Sequence, residues 1–192
     1  RIHEIISMIE RDGDTRKDYQ PERDFIVRNI VKDIRHNKEL IAEIDDELRK
    51  LIPLTGYKLH TMPGIDLVTE AQIISEIGDI NCFPDSDKLD RFMGLAPVQF
   101  SSAGKGKNQR CRNGNRALNA IFHFLAIQMV AISASGKPRH PVFREYFEQK
   151  VKEGKNKPQA LMCVARRLVR IIYGMMKTKT EYRPYEKVDG KN

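Results

Sequence analysis

Three observations predict a mainly α-helical protein. Apolar residues recur in alternating steps of three and four over residues 22–52, further apolar stripes keep helical spacing along the rest of the chain, and Pro or Gly punctuates the intervals between them. The expected architecture is a long helical hairpin or coiled coil over residues 1–55. A compact helical domain over residues 56–192 follows, with a helix-hairpin-helix-like element and a glycine-rich basic loop. At 192 residues and 40% hydrophobic, the chain can bury one substantial core.

The heptad seam consists of Val27, Ile30, Ile34, Asn37, Ile41, Ile44, Leu48 and Leu51. Pro21 suits the first turn of its helix and Pro53 is expected to end it. Asn37 is the one polar residue in the seam, a device that fixes register when buried against a partner. Ile2, Ile5, Ile6 and Ile9 offer a stripe for internal packing, but the length of the seam and its charged flanks favour pairing between copies of the chain. The chain begins with Arg1, inside what reads as a helix, so it is expected to be part of a longer protein.

Pro63-Gly64 marks a turn, and Leu67, Ala71, Ile74 and Ile77 follow at helical spacing. With Leu59, Met62 and Ile65, this turn resembles a helix-hairpin-helix element, in which amides such as that of Gly64 meet a phosphate. Asp66 stands where a second glycine is typical, and its charge opposes a phosphate. A tight turn between packed helices is the competing reading. A short helix is expected from an N-cap at Ser86 to Met93, closed by Gly94-Leu95-Ala96-Pro97.

A helix from Asn115 to Ser133, apolar on nearly all sides, is expected at the centre of the fold, with His123 read as a core residue. After the breaker "SASGKPRHP" come helices from Val142 to Lys152 and from Pro158 to Lys177. The last of these has Leu161, Val164, Leu168, Ile171 and Met175 as its buried stripe. Arg166, Arg167, Arg170 and Lys177 lie off that stripe, with no acid between Lys155 and Lys179 to pair them. They read either as a solvated face or as phosphate contacts.

Charge is distributed unevenly. Residues 1–100 hold 14 Lys/Arg against 20 Asp/Glu, and residues 101–192 hold 20 against 6, a balance of −6 followed by +14 within a net charge of +8. The second half is therefore the one expected to face a polyanion. Cys82, Cys111 and Cys163 lack paired spacing, so neither a disulfide framework nor a zinc site is suggested. The longest apolar run, Ala117–Ile132, is broken by Asn119, His123 and Gln128, and no segment reads as a secretory signal. A cytoplasmic protein with no membrane partner is expected.

Metal chemistry finds little support. Asp79, Asp85, Asp87 and Asp90 are close in sequence, but the last three surround a helix start and read as capping and solvation, and no histidine pair has ligand spacing. Gly104-Lys105-Gly106-Lys107 lacks the spacing of a nucleotide-hydrolase phosphate loop. What remains is the stretch from Ser101 to Arg116, with two adjacent serines, three glycines, five Lys/Arg and no acid. A hydroxyl needs a base, a metal or strong transition-state stabilisation to act as a nucleophile. Lys105, Lys107, Arg110 and Arg112 could stabilise charge on a scissile phosphate, but none is an evident base. The residues alone leave open a structural or phosphate-binding loop and a nucleophilic serine.

The span "MPGIDLVTEAQIISEIGDINCFPDSDKLDRFMGLAPVQFSSAGKGKNQRCRNGNRALNAIFHFLAIQ" resembles the C-terminal transposase domain of the insertion-sequence-110 family, which includes relatives of insertion sequences 116 and 902. The matching elements are Pro63-Gly64-Ile65, Ile77-Gly78-Asp79 with Phe83, Gly94-Leu95-Ala96-Pro97, Ser101-Ser102-Ala103-Gly104 and Gly114-Asn115. The tail "HPVFREYFEQKVKEGKNKPQALMCVARRLVRIIYGMMKTKTEY" and the coiled-coil segment are similar to that family as well.

The resemblance implies a DNA transposase, guided by a structured bridge RNA, whose serine attacks a DNA phosphate to give a covalent phosphoserine linkage. It implies an upstream RNase-H-like domain holding a divalent metal, magnesium, and it implies that residues 1–192 alone do not cut DNA. The nucleophile falls on Ser102, with Ser101 as the alternative, since Ala103 replaces the glycine usual after that serine. Lys105, Lys107, Arg110, Arg112 and Arg116 would bind DNA or guide-RNA phosphates, with amides near Asn115 adding donors. No cofactor is expected within this segment. DNA, the guide RNA and a second copy of the chain are the expected partners, and a non-catalytic DNA- or RNA-binding and oligomerisation module is the alternative function.

Overall fold

The computed structural model describes residues 3–4, 7, 19–96, 98–102, 105–109 and 113–184. It is mainly helical, and its elements in order are α1 (Gln20–Thr55), α2 (Leu67–Ile77), α3 (Ser86–Phe92), β1 (Val98–Ser102), β2 (Lys105–Gln109), α4 (Arg116–Val130), α5 (Pro141–Lys152) and α6 (Lys157–Thr178). Short 3-10 turns at Leu59–Thr61 and Ile80–Cys82 precede and follow α2. The chain divides into two compact units, residues 1–47 and 48–192.

In the first unit the heptad spacing forms a continuous helix. Pro21 occupies its first turn, where a missing N–H leaves no hydrogen bond unmade. Pro53 does not end α1 as expected. The helix runs on to Thr55 and stops at Gly56, whose φ of +72° reverses the backbone. Along the seam, Ile30, Ile34, Asn37, Ile41 and Ile44 are exposed and Val27 is half-buried. Ile2, Ile5, Ile6 and Ile9 lie outside the described residues.

The second unit is organised around α6, which packs against α4, α5, α3 and both 3-10 turns, while α4 also contacts α2 and α5. The hub is thus α6 rather than the more apolar α4. The reason lies in the pattern. The α6 helix buries Ala160, Val164, Ala165, Leu168, Val169, Ile172, Met175 and Met176 in one stripe, wider than the five positions anticipated. Asn156 caps it with Gln159 in a reciprocal capping box, and Pro158 lies in its first turn. From α4, Leu118, Phe122, Leu125, Ala126 and Met129 enter the core, each such large side chain contributing about 1.5–3 kcal/mol by leaving water.

The basic loop of the sequence reading is a β-hairpin on either side of its tip. β1 and β2 pair antiparallel in the register Val98↔Gln109, Gln99↔Asn108, Phe100↔Lys107, Ser101↔Gly106 and Ser102↔Lys105. That register leaves Ala103 and Gly104 as the connection. These two positions, with Arg110 and Arg112, lie outside the described residues.

Candidate functional site

The hairpin springs from a clamp between two loops. Gly94, with φ +70°, and Gly114, with φ +137°, approach so closely that a β-carbon on Gly114 would sit 2.6 Å from the Gly94 nitrogen. Only glycines fit this crossing. Asn115 fastens one side. Its amide N–H donates to the Phe92 carbonyl at 2.8 Å, its Oδ1 accepts from Leu118 N–H at 3.0 Å as the N-cap of α4, and its Nδ2 donates to Glu76 at 2.7 Å. Asn119, one turn on, donates to the Met93 carbonyl at 3.0 Å. The sequence placed Asn115 at a helix start, but nothing in it announced the bond from Asn119 to the end of α3.

Register sorts the hairpin residues. Directly paired positions of an antiparallel ladder share a face and adjacent positions alternate. Positions 98, 100 and 102 of β1 therefore share a face with 105, 107 and 109 of β2. Ser102, Lys105 and Lys107 occupy one face, and Ser101 falls on the other with Gly106.

The α4 end of the clamp borders an open cleft of roughly 1010 Å³, at the upper end of the usual range for ligand sites, about 300–1,000 Å³. Met93, Gly94, Asn113, Gly114, Asn115, Arg116, Asn119, Ala120, His123, Phe124 and Ile127 line it, with no carboxylate among them. His123, expected in the core, is exposed. Phe124 and Ile127 are exposed as well, at 61% and 43%, so α4 is not buried on all sides.

The Pro63-Gly64-Ile65 turn has Gly64 at φ +88°, packed against Gln128 and Met129. Asp66 caps α2, accepting from Thr69 N–H at 2.8 Å, and the Thr69 hydrogen bonds hold its carboxyl below the usual range. An anion therefore already occupies the helix end, and the geometry here is that of a capped turn. Beneath it, the fully buried Glu70 accepts from the Leu59 amide at 2.7 Å and pairs with His60 at 2.8 Å. A 420 Å³ recess beside the turn is lined by Pro63, Gly64, Asp66, Gln128, Arg139 and His140 among others.

The arginines of α6 find partners outside their own acid-free segment. Arg166 donates from Nε to Asp90, Arg170 lies 3.6 Å from Asp87, and Arg167 stacks over the Tyr146 ring at 4.8 Å. Asp90 is thus no solvated residue: it is buried at 3% exposure, and its Oδ1 has no hydrogen-bond partner among the described residues. Burial raises its carboxyl above the ordinary range, with the Arg166 hydrogen bond opposing that effect. Its neighbour Asp85, rather than Ser86, caps α3 through Lys88 N–H at 2.8 Å. The signal that could have found Asp90 was its position beside Leu89 and one turn from Gly94, on the buried side of a very short helix. Among the described residues no group of three or more His, Cys, Asp or Glu could hold a metal ion. No described helix is long and apolar enough to cross a membrane.

Fold and site define a mainly helical, cation-rich domain that presents a short serine- and lysine-bearing hairpin from a glycine clamp. Residues 56–148 match the transposase family described as IS116/IS110/IS902, and the chain belongs to that family. It is 30% identical over 162 residues to the uncharacterized 44.8 kDa protein of insertion element IS116 from Streptomyces clavuligerus, covering 81% of this chain and 39% of the relative. The uncharacterized 43.6 kDa protein of insertion element IS110 from Streptomyces coelicolor is 26% identical over 163 residues, 83% of this chain and 38% of that protein. A pilin gene-inverting protein from Moraxella lacunata is 28% identical over 160 residues, 80% of this chain and 48% of that protein. The chain spans less than half the length of these relatives.

Proposed function

We propose that this chain is the nucleophile-bearing part of a DNA transposase or recombinase. The observation that carries the reading is the hairpin register, which sets position 102 on one face with Lys105 and Lys107 inside the family-matched region. In the proposed step the Ser102 oxygen bonds to a DNA phosphorus as the bond from phosphorus to a deoxyribose oxygen breaks. The serine proton goes to solvent or a base supplied from elsewhere, and the leaving oxygen takes up a proton. Lys105 and Lys107, with Arg110 and Arg112, neutralise charge on the phosphate as it develops. Ser101 is the alternative nucleophile, disfavoured because its face is shared with Gly106 rather than a lysine.

The reading extends to the partners. DNA and a guide RNA bind the cationic half, with Arg116 and the exposed Arg170 among the phosphate contacts. Arg166 and Arg167 are already engaged by Asp90 and Tyr146 and serve chiefly to hold α3 and α5 on α6. Gly64 supplies a turn amide at most, since Asp66 fills the adjoining helix end. The exposed seam of α1 joins two copies of the chain. A divalent metal, magnesium, would act from protein outside these residues, and residues 1–192 alone do not cut DNA.

The test uses the longer protein with its upstream region, supplied with RNA, divalent metal and target DNA. A covalent protein-DNA adduct that Ser102→Ala abolishes and Ser101→Ala preserves is expected. The reverse pattern would move the nucleophile to Ser101. An adduct indifferent to both substitutions, or none at all, would favour a non-catalytic binding and oligomerisation module.

A further inference from the structure

We infer that the cleft beside the glycine clamp is a seat for one unpaired base, stacked on Phe124, with a neighbouring phosphate of the same strand on Arg116. The inference rests on the proposed role in handling nucleic acid and adds a specific subsite to it. Three exposed residues of α4, Arg116, Ala120 and Phe124, stand four positions apart, which places them in one row at steps of about 6 Å along the helix. A cation, a gap and an aromatic face therefore follow one another over about 12 Å of helix, a span that reaches from a stacked base past its own sugar to a neighbouring phosphate of the same strand. Ala120 has no side chain beyond Cβ to obstruct the middle position. Ile127, two turns beyond Ala120 and one beyond Phe124, extends the apolar floor.

Burial and charge both point to a nucleotide occupant. Phe124 is 61% exposed, whereas Phe122 on the opposite face of the helix is fully buried, so a large aromatic surface stands in water on the cleft side. The lining of the cleft holds no carboxylate, and Arg116 makes no ion pair among the described residues. An anionic ligand thus meets an uncompensated cation beside an apolar ring. Aromatic faces stack on bases whose own neighbours have been removed, and the bases of an intact duplex are already stacked. The occupant is therefore a nucleotide from a gap, an end or a melted segment.

The experiment compares binding of the 192-residue chain to an intact DNA duplex and to the same duplex carrying a short single-stranded gap with 2-aminopurine in it. The gapped probe is expected to bind at least about fivefold more tightly, with a change in 2-aminopurine fluorescence on stacking. Phe124→Ala should erase that preference and the fluorescence change while leaving duplex binding and the melting temperature intact, and Phe124→Trp should restore both. Arg116→Gln should weaken both probes and lower the slope of log affinity against log salt by about one. An unchanged preference in Phe124→Ala would overturn the inference. So would a shift in the sedimentation of Phe124→Ala without nucleic acid, which would assign the face to a protein contact. Salt-sensitive binding without discrimination sinks this subsite alone, whereas no binding to either probe sinks the proposed function with it.

Discussion

Gly94 and Gly114 cross with no room for a side chain on either: a β-carbon on Gly94 would meet the Asn113 carbonyl oxygen at 2.5 Å, and one on Gly114 the Gly94 α-carbon at 2.8 Å. The obstructing atoms are backbone, so neither side can yield without moving the strands between them. The end of α3 and the start of α4 are thereby locked together.

Gly114→Ala should therefore destabilise the domain by about 2–4 kcal/mol, combining backbone strain at φ +137° with overpacking. Gly174→Ala provides the contrast, because its β-carbon would meet nothing within 4 Å and the residue lies inside α6. That substitution should stabilise by about 0.5–1 kcal/mol. Urea unfolding of the two variants checks the pair. Equal effects would mean that the crossing is not tight in solution.

The Asp90–Arg166 pair makes a second prediction. Removing Arg166 leaves a buried carboxylate without the side chain that hydrogen-bonds it, and Arg166→Met should cost about 2–3 kcal/mol at neutral pH. The loss should shrink on acidification, because a protonated Asp90 no longer needs a cation. In the wild type the raised folded-state pKa means that the native protein holds a proton the unfolded chain has already lost. The contribution of Asp90 to stability therefore falls as pH rises from the ordinary carboxylate value through the folded value. Unfolding curves for wild type, Arg166→Met and the Asp90→Asn/Arg166→Met double variant at acid and neutral pH test this. A single variant whose deficit is independent of pH would contradict it.

Asp66 has the opposite sign. Its carboxyl is held below the usual range by the Thr69 hydrogen bonds, so its stabilisation is fully present above the ordinary carboxylate value and is lost as pH falls through the depressed one. Asp66→Ala should cost about 1 kcal/mol and Asp66→Asn much less, since asparagine caps equally well. If the Gly64 turn also approaches a phosphate, Asp66→Asn should raise nucleic-acid affinity at low salt. Unchanged affinity beside intact stability would leave the turn purely structural.

Much of this was legible in the sequence because helices announce themselves by local pattern. The spacing of Leu67, Ile74 and Ile77 marked α2, and Pro158 marked the start of α6, since local signals and periodicity act within a few residues. Long-range pairings were not legible. Asp90 reaches an arginine 76 positions away, and Asn119 reaches Met93 across the base of the hairpin. The hairpin was hidden for a different reason. Its residues alternate weakly and are rich in Gly, Ser and Lys, so composition suggested a loop, while the ladder depends on backbone bonds between strands closed by the clamp. The serine-and-lysine stretch stood out in the sequence as a segment, but the grouping of its positions into faces required the register.

The α1 seam leads to the last prediction. Ile41 and Ile44 are each 58% exposed, and Ile30 and Ile34 continue the stripe beside them, a pattern that leaves substantial apolar surface in water along the helix. Burying it against a second copy would recover about 25 cal/mol per Å² removed from water, with Asn37 setting the register through a polar pair across the seam. The chain should therefore sediment as a dimer or larger assembly at micromolar concentration. Ile41→Asp/Ile44→Asp should shift it to monomer, because a carboxylate at a seam position loses its hydration on association. Asn37→Leu should instead strengthen association while broadening the range of assembly sizes, as happens when the one polar register key is removed. Neither substitution touches the core of residues 48–192, so the thermal unfolding of that unit should stay as it is. A wild-type chain that sediments as a monomer, with both variants unchanged from it, would return the seam to packing within one chain.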